Sequence, residues 1–213
     1  MNCDLAELLG MHAGDGTIYR TKYGLVWELR GGLDEKEFYD SYVIPLLRRV
    51  YNFPFIAKKR SGGKNGCYGT RCCKKEFIQL LLNKGFPVGK KTKTVKIPKK
   101  ILSGKKEWKT SFLRGLLATD GTAYLAKINR SEIPNYPIIE LNSVSKKLIE
   151  QVKDLLLELN VKSYTWTYKH KQRGDVSHHL RCSGIEKCQN ISKIIGLANY
   201  KHRRKMIILD AKQ

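Results

Sequence analysis

The chain has 213 residues, of which 41% are hydrophobic, and its 41 Lys and Arg against 19 Asp and Glu give a formal net charge of +22. Such an excess indicates a polyanionic partner, and the lack of an apolar anchor or a basic amphipathic helix favours nucleic acid over a membrane surface. No stretch is suited to span a membrane and the N-terminus does not resemble a signal peptide, so we expect an intracellular protein, cytoplasmic or in an organelle matrix.

The chain begins with an apolar helix pattern that returns half a chain later. Residues 8–17 read LLGMHAGDGT and residues 113–122 read LRGLLATDGT, with Leu, Gly, Ala, Asp, Gly and Thr shared at an offset of 105 residues. Alternating and helical patterns follow each copy in the same order. The repeat predicts an α+β fold of two pseudo-symmetric αββαββα units, residues 1–101 and 111–213, joined by a linker at 102–110.

Small residues within each copy predict that the two repeated helices pack side by side. Gly10 is followed one turn later by Gly14, and Gly115 is followed one turn later by Thr119. Small side chains at this spacing let two helix backbones approach closely. We therefore expect the two halves to meet along these helices.

An aspartate ends each copy of the repeat, at Asp15 and at Asp120. Gly16 and Gly121 fit the left-handed residue that commonly follows a helix. Two carboxylates brought together at helix C-termini are disfavoured by the macrodipole and by each other, so a cation is expected between them. Oxygen ligands favour Mg²⁺, which can activate water for phosphodiester hydrolysis. One Asp-Gly-Thr alone would indicate only a turn, whereas two matched copies favour a metal site.

The segments Leu8–Gly16 and Leu113–Gly121 resemble the motif of the LAGLIDADG homing endonucleases, in their monomeric, two-motif form. The resemblance covers essentially the whole chain, although the sixth motif position, Asp in the family, is Ala13 and Ala118 here. It implies motif helices packed at the interface and two antiparallel sheets that form a saddle in the major groove of double-stranded DNA. It also implies an intron-encoded, monomeric nuclease that recognises a long site and breaks both strands, leaving short 3′ overhangs.

By this resemblance, Asp15 and Asp120 are catalytic metal ligands, with Gly14 and Thr119 as further ligands. Mg²⁺ is the expected cofactor, and Mn²⁺ or Ca²⁺ are expected to substitute for it in binding.

The family also places a basic residue near each active site, after the last helix of each repeat. Lys96 lies 81 residues beyond Asp15, and Lys201 lies 81 residues beyond Asp120. We expect these lysines to polarise water or to stabilise charge on the phosphate. Because lysines are dense around both positions, two neighbours are substitutes for the role: Lys93 and Lys205.

Strand alternation predicts a polar sheet face that contacts DNA. In YGLVWELR, we expect Leu25, Trp27 and Leu29 to face inward and Glu28 and Arg30 to face outward. Residues 87–107 hold eight lysines and one acid and are interpreted mainly as a solvated basic connector. The candidates for phosphate or base contact are Arg20, Lys22, Glu28, Arg30, Lys58, Arg60, Arg71, Lys127, Arg130, Asn142, Lys169, Lys171, Arg173 and Arg181.

Aromatic residues recur at every second position at Tyr164, Trp166 and Tyr168. They suit a platform for single-stranded nucleic acid, but a half-buried strand is the more economical interpretation. His178 and His179 are adjacent and would face opposite ways on a strand, so we interpret them as surface polar groups.

Two other functions share this fold. An RNA-binding maturase that assists intron splicing is the first alternative, and a DNA-binding regulator without cleavage activity is the second. Retention of both motif aspartates favours the nuclease over either of them.

Overall fold

Two four-stranded antiparallel sheets make up the framework of the computed structural model, which describes residues 1–62, 66–128, 132–169 and 174–206. The helices are α1 (Cys3–Gly14), α2 (Lys36–Phe38), α3 (Ile44–Val50), α4 (Lys75–Leu82), α5 (Lys99–Leu102), α6 (Lys106–Thr119), α7 (Lys146–Glu158), α8 (Ile185–Ile194) and α9 (Tyr200–Met206). The strands are β1 (Gly16–Thr21), β2 (Gly24–Gly31), β3 (Ala57–Arg60), β4 (Cys67–Cys72), β5 (Gly121–Ala126), β6 (Tyr136–Ser143), β7 (Tyr164–Lys169) and β8 (Val176–Ser183). The strand orders β1-β2-β4-β3 and β5-β6-β8-β7 correspond, so the predicted two-repeat α+β fold is confirmed.

Packing divides the chain into two units. The first contains Met1–Lys91 and Pro98–Thr119, and the second contains Thr92–Ile97 and the residues from Asp120 onward. The helix of the second repeat, α6, therefore packs with the first half of the sequence. The division of the sequence into residues 1–101, 102–110 and 111–213 stays a prediction about the repeat.

The two motif helices cross within the first unit, at the glycines that the sequence singled out. A Cβ atom added to Gly10 would lie 2.0 Å from the carbonyl oxygen of Phe112, and one added to Gly115 would lie 2.0 Å from the carbonyl oxygen of Glu7. Real Cβ atoms do not approach a backbone oxygen so closely. The predicted close packing of the two helices is confirmed.

A buried ion pair ties the same two helices together. The Arg114 guanidinium lies 2.6 Å from Glu7 Oε2, and the Tyr42 hydroxyl donates a hydrogen bond of 2.6 Å to Glu7 Oε1. Burial and the neighbouring carboxylate raise the pKa of Tyr42 to about 12. The Glu7 carboxylate is thus supplied with donors on both oxygens, as a buried charge requires.

The glycines after the motif aspartates do not have the predicted left-handed conformation. Asp15, the C-terminal cap of α1, has φ −83° and ψ −8°, and Gly16 already belongs to β1. Gly121 likewise begins β5, and neither glycine has a positive φ. Gly16 is instead required for a steric reason, because a Cβ atom at this position would lie 2.2 Å from His12 Nδ1.

Each sheet buries one face against helices. Trp27 and Leu29 are fully buried, as the alternation of β2 predicts, and the Trp27 ring packs edge-on against Phe77 at 5.0 Å between centroids. In the second unit, Leu141 and Leu180 occupy the corresponding buried face. All six cysteines are free thiols, and three of them are buried. No helix in the described part of the chain is long and apolar enough to cross a membrane.

Candidate active site and nucleic-acid interface

Both motif helices end directly at an aspartate. α1 ends at Gly14 with Asp15 as its C-terminal cap, and α6 ends at Thr119, immediately before Asp120. Both carboxylates are half-buried. In the first unit, burial, with a smaller contribution from Asp15, raises the pKa of the Tyr39 phenol. Because the helix macrodipole is negative at this end, each aspartate needs a positive group nearby.

Lys91 provides such a group at the end of α1. Its ammonium donates to the carbonyl oxygen of Ala13 at 2.7 Å and also to that of Gly14. Lys91 is 9% exposed and is the only buried lysine in the ranges that the structure describes. The sequence reasoning missed this residue, because nothing in a run of eight lysines marks one of them as buried.

An uncharged histidine supports the same helix end. The Trp27 indole donates a hydrogen bond of 3.0 Å to His12 Nδ1, and the Phe86 ring lies edge-on at 4.4 Å. Burial, aided by the charge of Lys91, lowers the pKa of His12 to about 3. The imidazole is therefore neutral, with its proton on Nε2, and it adds no charge to the site.

The donor atoms at the two aspartates are oxygens, the ligands that Mg²⁺ and Ca²⁺ prefer. Among the described residues, no cluster of three or more His, Cys, Asp or Glu side chains is present. Backbone carbonyl oxygens at the end of each helix are further oxygen donors of the same kind. The Gly14 carbonyl already accepts a hydrogen bond from Lys91 and retains a second lone pair for such a role.

The two lysines predicted to be catalytic, Lys96 and Lys201, lie in different surroundings. Lys96 is exposed on a segment bound to α7, where Val95 O accepts from Ser145 Oγ at 2.6 Å and Ile97 N donates to Gln151 Oε1 at 2.8 Å. It belongs to the second unit. Lys201 is exposed on α9, which packs on β5, the strand that begins after Asp120. The substitutes are also exposed: Lys93 and Lys205.

The polar face of the first sheet is centred on Glu28, in a hollow lined by Thr17, Tyr19, Lys59 and three arginines. Glu28 points to the predicted face but is only 4% exposed, because guanidinium groups of Arg71, Arg30 and Arg60 surround it at 3.5, 3.8 and 3.9 Å. Burial, with contributions from Glu28, raises the pKa of Tyr19. These arginines cover the Glu28 carboxylate, and its contact with DNA stays a prediction.

The second sheet has a corresponding centre at Glu140. Arg181 donates from Nε and Nη2 to Glu140 Oε2 at 3.2 and 3.1 Å, and the Tyr124 hydroxyl donates to the same oxygen at 3.0 Å. His179 Nδ1 lies 3.6 Å from Oε1. Glu140 was absent from the predicted interface, although its place in the repeat, opposite Arg181 as Glu28 is opposite Arg71, was a usable signal.

The aromatic residues of β7 lie on this polar face. The strand is confirmed, but Tyr164 is 67% exposed, so these rings do not form part of the core as a half-buried strand would place them. Trp166 stacks on Tyr164 at 5.8 Å and on His179 at 4.7 Å, and Arg181 lies over its ring at 4.7 Å. The stack is part of the same surface as the Glu140 cluster.

The remaining predicted DNA contacts are scattered around the two sheets. Lys58 and Asn142 are exposed and pair with Gly69 and His179, which places them on the polar faces. Exposed side chains at the ends of β1 and β7, on the helix side by strand alternation, are Arg20 and Lys169. Exposed side chains just beyond strand ends are Lys22 and Lys127. The predicted residues that lie outside the described ranges are Arg130, Lys171 and Arg173.

The fold and the paired motif helices define a class. The LAGLIDADG-like domain family matches residues 107–196, from within α6 to just beyond α8. This segment is similar to LAGLIDADG-like domains, and the chain has the fold of the homing endonucleases, as the resemblance implied.

Solved structures of homing endonucleases agree with this fold. Mesophilic variants of the homing endonuclease I-DmoI are 16% identical, with a TM-score of 0.63 over 91% of this chain and 95% of theirs. I-DmoI in complex with DNA and Mn is 16% identical, with a TM-score of 0.62 over 91% of this chain and 96% of that one. In sequence, the chain is 29% identical over 212 residues, 95% of its length, to the replication factor C small subunit of Methanocaldococcus jannaschii. It spans only 10% of that protein.

Proposed function

We propose that the chain is a site-specific DNA endonuclease that breaks both strands of a duplex by metal-dependent phosphodiester hydrolysis. Asp15 and Asp120 directly follow the two helices that cross at Gly10 and Gly115, and this placement carries the proposal. The complex of I-DmoI with DNA and Mn supports a DNA substrate and a divalent cation.

In this mechanism, Asp15 with Gly14, and Asp120 with Thr119, would supply the oxygen ligands of the divalent cation. A bound Mg²⁺ supplies a more acidic water and positive charge against the leaving oxygen. Lys91 keeps a fixed positive charge at the end of α1, where it stabilises the charge that develops on the phosphate. Mn²⁺ or Ca²⁺ would bind the same oxygen ligands in place of Mg²⁺.

Substrate binding uses the polar faces of the two sheets. Each face presents guanidinium groups together with exposed polar side chains, and a β-sheet ribbon of this kind fits the major groove. The chain acts as a monomer on one long site, with each sheet in contact with one part of it. Cleavage leaves short 3′ overhangs.

A cleavage selection tests this function. The full chain is incubated with a randomised duplex library and Mg²⁺, and the cut ends are sequenced, with EDTA in the control. We expect one family of related sites cut on both strands, with a constant 3′ stagger. Ends no more frequent than in EDTA would refute the endonuclease, and binding to structured RNA without any cut DNA would favour the maturase.

A further inference from the structure

Two buried carboxylates lie on the polar sheet faces, where a DNA-binding surface is expected to have no negative charge. Glu28 and Glu140 occupy the centres of the polar sheet faces, and a negative charge there repels phosphates. Burying a carboxylate is also unfavourable unless it is paired. A glutamine would fill either position without the charge. The negative charge of Glu28 and Glu140 therefore needs an explanation of its own.

The two clusters are built alike. Glu28 pairs in register with Thr17 and with Arg71 on the neighbouring strands. Glu140 pairs in the same way with Thr122 and Arg181. A tyrosine two residues after each threonine completes each cluster: Tyr19 and Tyr124.

The carboxylates are too well covered to touch a base themselves. The Glu28 side chain is 4% exposed and the Glu140 side chain 10% exposed, whereas Arg71 and Arg181 are 44% and 37% exposed. The arginines are thus the groups that DNA can reach. The glutamates act beneath them.

Glu140 fixes the plane of its arginine. Both Nε and Nη2 of Arg181 donate to one oxygen of Glu140, and the Trp166 ring lies 4.7 Å from the guanidinium carbon. An arginine has five donors in a rigid fork, so donors remain for a ligand after these contacts are made. Such a fork matches the N7 and O6 acceptors of guanine in the major groove.

We infer that Glu28 and Glu140 are specificity-determining positioning residues, which hold Arg71 and Arg181 so that each arginine reads a guanine in the target. The inference rests on the proposed DNA-binding function. It is sharper for the second sheet, because Arg71 has only a single contact of 3.5 Å with Glu28.

Glu140→Gln tests the inference, since it preserves shape and removes the charge. The full chain in EDTA is mixed with a randomised duplex library, and the bound fraction is sequenced, so that no cleavage is required. We expect the preference for guanine at one position to fall about 5- to 100-fold. Affinity for a non-specific duplex should rise at the same time, because a negative charge leaves the DNA-binding face.

Two further variants keep the test decisive. Glu150→Gln removes the same charge from exposed α7 and should leave the base preference unchanged. Arg181→Lys keeps the charge but loses the fork, and should abolish the same guanine preference as Glu140→Gln. In the parent chain, 7-deazaguanine at that position should weaken binding, and in both Glu140→Gln and Arg181→Lys it should have little effect.

The outcomes separate the inference from the function on which it rests. Unchanged guanine preference in Glu140→Gln, or equal weakening for every sequence together with lower thermal stability, would show that Glu140 is only structural. If Arg181→Lys alone loses the preference, the arginine needs no positioning carboxylate. A parent chain whose bound fraction shows no sequence preference would overturn the proposed site-specific function itself.

Discussion

Asp15 and Asp120 lie at the C-terminal ends of two helices, where the helix dipole disfavours a negative charge. Their carboxylates are therefore not explained by helix stability. Replacing either with asparagine should relieve the local repulsion while removing a metal ligand. We therefore expect Asp15→Asn and Asp120→Asn each to reduce double-strand cleavage in Mg²⁺ by at least about 10⁴-fold, with DNA binding largely retained. Single-turnover cleavage and a gel-shift titration measure the two effects.

A matched change on the surface controls for the loss of charge. Asp154→Asn, on the exposed side of α7, should leave cleavage unchanged. Cleavage at the parental rate by either motif variant would show that the carboxylate is not part of the active site.

Lys91 and Lys96 make a second comparison, because Lys91 is buried at the end of α1 whereas Lys96 is exposed. Lys91→Met keeps the aliphatic stem and removes the ammonium that binds Ala13 O and Gly14 O. We expect the cleavage rate of bound DNA to fall about 100-fold. Lys96→Met should change that rate little, since its side chain is exposed. The reverse result would support the assignment made from sequence spacing.

The sequence predicted residues of this site only where the repeat singles them out. Asp15 and Asp120 are matched within copies of one motif, so their positions could be found without coordinates. Lys91 has no such partner, because Gly196 stands 105 residues later. The burial that distinguishes it depends on where the chain turns after α4, which no local pattern of lysines encodes.

At the level of elements, the crossing of α1 and α6 leaves no space for a methyl group. Gly115→Ala gains about 1 kcal/mol of helix propensity, but its Cβ would meet a backbone oxygen that has no rotamer to change. The steric effect should dominate. We expect a net loss of about 3 kcal/mol in the free energy of unfolding.

Thermal unfolding measures this loss, with a decrease in Tm of about 6–12 °C for a chain of this size. Lys106→Ala, exposed at the start of α6, is the control and should unfold close to the parent. A Gly115→Ala variant as stable as the parent would mean that the helices can separate without penalty.

The periodicity of the sequence predicted the strands and helices, but it did not predict which side chains lie on each face of a sheet. The alternation of β2 correctly placed Trp27 on the buried face and Glu28 on the polar face, although Glu28 itself is covered. In β7 the same alternation could not say which face carries Trp166, because aromatic residues suit both a core and a stacked surface. Neighbouring β8 decides it, since His179 and Arg181 give the ring partners on the polar side.

For the molecule as a whole, the net charge of +22 should govern binding to DNA. Each neutralised phosphate releases counterions, so affinity should fall on the order of 10³-fold or more between about 50 and about 200 mM salt. Fluorescence anisotropy with a duplex over this range measures the slope. A flat dependence would contradict phosphate contact by the basic side chains.

Neither half of this chain is a freely transplantable module. Thr92–Ile97 packs with the second unit although it precedes Pro98–Thr119, which pack with the first. A hybrid with one junction anywhere between residues 98 and 119 would replace some or all of α6 with foreign sequence against the native α1. Recombining such proteins therefore means transferring α1 and α6 as a co-adapted pair, with two junctions instead of one.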